Sequence, residues 1–133
     1  MNLNKVILIG RLTQDPQLKE LPSGTKVATF GLATDRYFVD KSGQKRQETE
    51  FHNIVLFGKL AEIASQYLKK GSLAMIEGRI KTRTWQDQNG NQKSKTEIIG
   101  QKLQLGPKAK KPMAEEIPVI EEEEEINVED IPF

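Results

Sequence analysis

The sequence predicts an all-β domain, a small barrel of five strands with one short helix, followed by a disordered acidic tail. Apolar residues in the body recur mostly with a period of two, which is typical of strands, and only one segment has helical spacing. Residues 1–112 contain all 20 Lys and Arg and 10 of the 19 acidic residues, whereas residues 113–133 contain the other nine and no base. The basic body indicates a polyanionic partner.

Two strands are predicted in the first 40 residues. Leu3 to Leu12 forms the first, with apolar residues on both faces around Val6 to Ile9. Asp15-Pro16 and Pro22-Ser23-Gly24 favour turns after it. The second strand runs from about Val27 to Phe38, where large apolar residues alternate with small ones. Small residues at alternate positions are typical of a strand that bends or lies close to another backbone.

The third strand, about Glu48 to Phe57, carries large side chains on both faces. Phe51 and Phe57 share one face, and Ile54 and Leu56 share the other. Because Ile54 and Leu56 already supply an inward face, we expect both phenylalanine rings on the outer surface. The alternative is a core position for either ring, since phenylalanine is more often buried than exposed.

One helix is predicted from Lys59 to Lys70, because apolar residues recur there at three- and four-residue steps. Gly71 offers the positive φ that often follows a helix, and Lys69 and Lys70 complement the negative end of the helix dipole.

The last two strands, about Leu73 to Gln86 and Gln92 to Leu105, form a long hairpin whose tip, Asn89-Gly90, predicts a type I′ turn. The two prolines in residues 106–112 cannot continue a strand, so we expect the domain to span residues 1–105. Five strands with a helix between the third and the fourth is the element order of the OB-fold. This partly open barrel binds oligonucleotides on its outer sheet face.

The fourth strand carries a row of cations on one face. Arg79, Lys81 and Arg83 share that face with Trp85, the only tryptophan of the chain. Positive charge suits phosphates and a flat ring suits an unpaired base, so the pattern predicts a surface for single-stranded nucleic acid. Two alternatives stay open, an ordinary solvated strand face and packing of Trp85 against a neighbouring subunit.

Several classes of function are disfavoured. The chain has no cysteine, which excludes disulfides, thiolate catalysis and cysteine-rich zinc sites, and no metal or cofactor is predicted. The only histidine, His52, lies in a strand and is interpreted as structural, and no nucleophile motif or phosphate-binding loop is present. The lack of such motifs predicts that the chain is not an enzyme. The absence of a signal segment and of a long apolar run indicates a cytoplasmic protein with no membrane partner.

Beyond these patterns, the chain resembles the bacterial single-stranded DNA-binding proteins from about Asn4 to Leu105 and again in its last five residues. The resembling stretches are NKVILIGRLTQDP at 4–16, FGLATDRYF at 30–38, TEFHNIVLFGKLAEIASQYLKKGS at 49–72, IEGRIKTRTWQDQNG at 76–90 and the terminal EDIPF. The resemblance implies a homotetramer of OB domains with single-stranded DNA wrapped around it.

The resemblance also implies residue roles. It places the stacking aromatic residues at Phe38, Phe51, Phe57 and Trp85. It places the phosphate-contacting bases at Lys41, Lys59, Lys70, Lys81 and Arg83, to which the strand pattern adds Arg79. His52 falls where the family has a histidine near the subunit interface. Tyr37 lies next to Phe38, so both rings are candidates for the same stacking position.

The acidic tail is predicted to recruit other proteins. Residues 106–128 form a short linker, and the tip consists of Glu129, Asp130, Ile131, Pro132 and Phe133. Acidic residues before an apolar ending suit a small apolar pocket rimmed by basic residues. The resemblance implies that replication, recombination and repair proteins capture this tip. Two other functions stay open, an RNA-binding OB protein of the cold-shock kind and a protein-binding primosomal scaffold.

Overall fold

A computed structural model describes residues 1–107, as six strands and one helix. The strands are β1 (Val6–Leu12), β2 (Gln17–Glu20), β3 (Lys26–Val39), β4 (Lys45–Phe57), β5 (Leu73–Gln86) and β6 (Gln92–Leu105), and the helix is α1 (Lys59–Tyr67). None of the helical segments in this range has the length and apolar character that a membrane crossing requires. Most of the predicted linker and the whole predicted tip lie outside the described residues.

Five of the strands close into a barrel. Antiparallel pairs join β1 to β5, β5 to β6 and β3 to β4, and a short parallel contact joins β4 to β6 at Ile54 and Ile98. The end of β1 closes the ring by pairing Arg11 with Ala33 and Leu12 with Leu32 of β3. The short β2 pairs only with β3. This closed five-stranded barrel with one helix between β4 and β5 confirms the predicted OB-fold.

The core lies inside the barrel and beneath α1. Ile54 and Leu56 of β4 are fully buried, so the inward face of this strand is the predicted one. Ala61 and Ala64 of α1 are also buried, because their small side chains let the helix pack closely on the barrel. The rest of the buried core consists of Leu12, Ala28, Phe30, Leu32, Leu68, Ala74, Ile76, Ile98 and Leu103.

Two element boundaries differ from the sequence prediction. β2 was not predicted, because all four of its residues are exposed and no apolar alternation marks it. α1 ends at Tyr67 instead of Lys70, and the next residue, Leu68, is already extended. Gly71 has the expected positive φ, but it lies in the turn that leads to β5, where its N–H donates to the carbonyl of Leu12.

The tip of the β5–β6 hairpin is not the predicted type I′ turn. A type I′ turn needs positive φ at both central residues, and in this loop only Gly90 has it. The carboxylate of Asp87 accepts bonds from the N–H groups of Asn89 and Asn91, which fixes a type I turn followed by a left-handed glycine. The β3–β4 hairpin repeats this arrangement with Asp40.

The β5–β6 hairpin extends beyond the closed part of the barrel. From Leu73 to Gly78 β5 alternates between buried and partly buried residues, but every residue from Arg79 to Gln86 is exposed. A Cβ on Gly78 would collide with the carbonyl oxygen of Ile99, and the register shifts at this point. We call residues 79–86 of β5 and their partners 92–99 of β6 the distal ribbon.

Candidate nucleic-acid interface

Two adjacent grooves cross the outer face where β3, β4, β5 and β6 lie side by side, and each encloses about 370 Å³. Together they form what we call the groove face. The polar groove is lined by Thr13, Gln14, Gln17, Thr29, Phe30, Gly31, Phe51, His52, Asn53, Ile54, Val55, Arg83, Lys95 and Glu97. The apolar groove is lined by Leu21, Val27, Thr29, Val55, Phe57, Arg79, Lys81, Arg83, Glu97 and Ile99.

Three of the predicted stacking rings lie in or beside these grooves. Phe51 is 70% exposed in the polar groove, and Phe57 is 42% exposed in the apolar groove. Trp85 is 45% exposed on the distal ribbon, two residues after Arg83, which lines both grooves. The rings point outward because β4 turns its alternate residues, such as Leu56, into the core.

Cations line the same grooves. Arg79 and Lys81 line the apolar groove and Arg83 lines both, while Lys95 of β6 lines the polar groove. Neither Arg79 nor Lys81 forms an ion pair with any of residues 1–107. Lys95 was not predicted from the sequence, but its place directly opposite Arg83 in the hairpin register is a signal that identifies it.

The groove face also contains an acidic residue, Glu97, which was not predicted from the sequence. Glu97 is only 7% exposed, and both of its carboxylate oxygens accept bonds from Arg83, at 3.0 Å from Nε and 3.1 Å from Nη2. The hairpin register places Glu97 opposite Lys81 and diagonal to Arg83, which is within reach of a long side chain.

The other three predicted phosphate contacts lie outside both grooves, and all three are exposed. Lys41 is in the turn between β3 and β4, Lys59 is the first residue of α1, and Lys70 is in the turn after α1. The N–H of Lys70 donates to Oδ1 of Asp15 at 2.8 Å, which places this lysine beside the loop between β1 and β2. The structure does not bring these three lysines together.

Tyr37 and Phe38 lie on opposite faces of the β3–β4 hairpin. The register pairs Ala33 with Phe51, so Tyr37, four residues further along, shares the face of Phe51 and Phe38 takes the other. Tyr37 is largely exposed, whereas Phe38 is partly buried with the guanidinium of Arg36 4.5 Å from its ring centre. The strand alternation therefore gives Tyr37, not Phe38, the groove side.

His52 is partly buried at the polar groove, with its Nε2 2.9 Å from Oγ1 of Thr34. This bond connects β4 to β3 on the face opposite Phe51. In the part of the chain that the structure describes, no three His, Cys, Asp or Glu side chains come together in a group that could hold a metal ion.

Two carboxyl groups outside the grooves have lowered pKa values. Hydrogen bonds from Ser42, Arg46 and the N–H of Gln44 lower the pKa of Asp40 to about 2. A hydrogen bond from Lys5, whose Nζ lies 2.7 Å from the carboxylate, lowers the pKa of Glu77. Both carboxylates are therefore ionised at neutral pH.

A second exposed surface lies on β1. Ile7 and Ile9 point outward and are more than half exposed. One edge of β1 pairs with β5 from Val6 to Arg11, but among residues 1–107 the other edge pairs only at Arg11 and Leu12, with β3. Exposed apolar residues on a half-unpaired strand are typical of a protein-protein contact. This surface was not predicted from the sequence, because a strand that is apolar on both faces does not show which face is exposed.

Comparison with known proteins places this fold in one family. The model of the single-strand binding protein family matches residues 3–106. A Plasmodium falciparum SSB in complex with single-stranded DNA is 34% identical, with a TM-score of 0.75 over 80% of this chain and 97% of that one. A deletion variant of the single-stranded DNA-binding protein from Thermus aquaticus is 33% identical, with a TM-score of 0.71 over 80% of this chain and 51% of that one. The chain belongs to the single-strand binding protein family.

Proposed function

We propose that this chain binds single-stranded DNA without sequence preference and that the strand lies along the groove face. The observation that carries the proposal is the exposure of Phe51, Phe57 and Trp85 beside Arg79 and Lys81. Membership of the single-strand binding protein family supports it, as does the likeness to an SSB solved with single-stranded DNA.

The rings provide affinity and the selection of unpaired strands. Each base stacked on an aromatic side chain contributes about 1–3 kcal/mol, and every base has a flat face, so stacking is tolerant of sequence. A double helix keeps its bases stacked on one another, so Phe51, Phe57 and Trp85 have little to bind there. At the β3–β4 hairpin, the fourth ring is Phe38 or Tyr37, and the exposure of Tyr37 favours the latter.

The cations hold the sugar-phosphate backbone. Arg79 and Lys81 lie within the apolar groove, close enough to Phe57 for one nucleotide to contact both ring and charge. Lys41, Lys59 and Lys70 are exposed outside the grooves, and in this proposal they contact phosphates beyond them. Lys95 adds a cation on the polar side, and Arg83, which was also predicted as a phosphate contact, is paired with Glu97.

A homotetramer is part of the proposal. The exposed Ile7 and Ile9, together with the unpaired edge of β1, supply an apolar strand that a second copy can cover by strand addition. The partly buried His52, predicted near the subunit interface, lies on the other side of β4 from Phe51. Size-exclusion chromatography with light scattering measures the stoichiometry directly.

The cellular role we propose is protection of single-stranded DNA during replication, recombination and repair, in the cytoplasm at the nucleoid. The tip, Glu129 to Phe133, recruits partner proteins in this proposal, because acidic residues before apolar ones suit a basic-rimmed pocket. The chain acts by binding, without catalysis.

A titration of Trp85 fluorescence tests the proposed function, since this is the only tryptophan. We expect oligo-dT to quench the signal with high affinity, to lose affinity steeply with added salt, and to outcompete a duplex of equal length by orders of magnitude. Equal affinity for duplex and single strand would rule the proposal out. Preference for matched oligo-rU over oligo-dT would instead favour an RNA-binding protein.

A further inference from the structure

Glu97 occupies the boundary between the two grooves, where a polyanion is expected to lie. It lines both grooves, and its side chain is 8% exposed, against 52% for its partner Arg83. A buried carboxylate on a nucleic-acid surface repels phosphates and is costly to bury unless it is fully paired. The bidentate contact from Arg83 supplies that pairing, with two parallel N–H···O bonds.

The same contact fixes the orientation of Arg83. Its guanidinium uses Nε and one N–H of Nη2 on Glu97, and its carbon lies 5.7 Å from the ring centre of Trp85. A planar guanidinium with two of its donors engaged has little freedom to rotate. The ring of Trp85 therefore lies beside a group that Glu97 holds in place.

We propose that Glu97 is a positioning residue of the groove face. It neutralises Arg83 and holds the guanidinium beside Trp85, so that Arg83 orients a stacking ring and does not act as an independent phosphate anchor. The role rests on the proposed function, since the ring that it orients is the one assigned to a base.

Salt dependence distinguishes this role from that of an ordinary phosphate contact. Each phosphate that a free cation neutralises releases counterions and makes the slope of log K against log salt more negative by about 0.7 for a single strand. A neutral Arg83–Glu97 pair adds nothing to that slope. Arg79 and Lys81, which have no acidic partner among residues 1–107, each add to it.

The first arm of the test measures oligo-dT affinity of the full chain at several NaCl concentrations for four proteins: wild type, E97Q, the double variant R83Q/E97Q, and E62Q as control. Glu62 is exposed on α1 and lines neither groove. E97Q frees Arg83, so we expect its slope to be steeper than wild type by about 0.7, an additional loss of about threefold in affinity over a fourfold rise in salt. R83Q/E97Q and E62Q should keep the wild-type slope.

The double variant keeps the proposal falsifiable if E97Q fails to fold, because it replaces a charged pair with a neutral one and leaves no buried charge. A slope for R83Q/E97Q that is shallower than wild type by about 0.7 would show that Arg83 anchors a phosphate on its own and would overturn the assignment. An unchanged slope in E97Q would overturn it as well.

The second arm needs no DNA, so its result is independent of the proposed function. Time-resolved fluorescence anisotropy of Trp85 in the free protein reports how firmly its ring is held. We expect faster local rotation in E97Q than in wild type or E62Q, because the guanidinium beside the ring becomes mobile. Identical ring motion in all three would refute the positioning role, whereas failure of wild type to bind oligo-dT would refute only the proposed function.

Discussion

The proximal and distal halves of β5 belong to one strand but have different surroundings. From Leu73 to Gly78 alternate residues enter the barrel core, whereas from Arg79 to Gln86 both faces are exposed. Ile76 is fully buried, and Ile80, on the same side of the strand four residues later, is 45% exposed. The same residue type on the same side of the strand is therefore buried in the proximal half and exposed in the distal half.

The difference shows how the domain separates stability from binding. The proximal half needs particular residues, since Ile76 fills the core and only glycine fits at position 78 beside the carbonyl of Ile99. The distal half meets few such constraints, so it can carry Arg79, Lys81 and Trp85 without cost to the core. Substitutions in the proximal half should change unfolding, and substitutions in the distal half should change DNA binding.

The largest effect tests the comparison within one residue type. We expect I76A to lower the free energy of unfolding by about 2–5 kcal/mol, because it leaves a cavity in a closed core. I80A should lower it by about 1 kcal/mol or less, since its side chain is already half exposed. Urea denaturation followed by circular dichroism measures both. Similar losses for the two variants would break the distinction between the halves.

The next effect is on affinity. We expect W85A and F57A each to weaken oligo-dT binding by about 1–3 kcal/mol, or about 5- to 150-fold, because each removes a stacking ring. Y67A is the matched control, since Tyr67 is an exposed aromatic residue on α1 that lines neither groove. Fluorescence anisotropy of labelled oligo-dT gives the dissociation constants. A loss with Y67A as large as with W85A would show that the rings act without regard to position.

The buried strands and the helix were more predictable from the sequence than the exposed edge strand and the turns. Alternation of period two identified β4 and β5, and the spacing of Ile63, Ala64 and Tyr67 identified α1, because burial imposes these periods directly. β2 escaped, since an exposed edge strand needs no apolar period. The Asn89-Gly90 turn was assigned the wrong type, because the bonds to Asp87 that decide it come from a side chain outside the dipeptide.

For the candidate site, the sequence predicted which residues share the exposed face, but not which side chains contact one another. The alternation of side chains along a strand placed Arg79, Lys81 and Trp85 on one face. It also predicted that Phe51 points outward, and the ring is exposed. It did not identify Glu97, because a lone acid on a polar strand has no pattern of its own and the strand register places Lys81, not Arg83, directly opposite it. The unpaired edge of β1 was likewise not predicted, since the length of the pairing between β1 and β3 cannot be read from either strand alone.

A smaller effect separates charge from stacking within the distal ribbon. We expect R79Q and K81Q each to make the salt slope of oligo-dT binding shallower by about 0.7, because each removes one phosphate contact. K102Q on β6 is the control with the same charge change, since Lys102 is exposed and lines neither groove, and it should keep the wild-type slope. The slopes come from titrations between low and moderate NaCl. If K102Q also lowers the slope by this amount, the effect is one of net charge and not of the groove face.

The smallest effect concerns the tips of the two hairpins, which have the same type of backbone turn but different side chains. Ser42 donates to Asp40 at 2.6 Å, whereas Asn89 takes the corresponding place beside Asp87. Because the hydrogen bond from Ser42 is the main cause of the lowered pKa of Asp40, S42A should raise that pKa from about 2 towards 3.8. At pH 3 we expect the Asp40 carboxyl to be mostly ionised in wild type and clearly less so in S42A.

The sign of the accompanying pH effect follows from the lowered pKa. The ionised carboxylate stabilises the folded hairpin at pH values above the unfolded-state pKa, near 3.8, and this contribution is lost as the pH falls towards 2. The ¹³C chemical shift of the Asp40 carboxyl at pH 3 is the measurement, with S94A on β6 as the control. A wild-type shift typical of a half-protonated carboxyl would contradict the ordered tip, and with it the view that hydrogen bonds to the Asp40 carboxylate fix this turn.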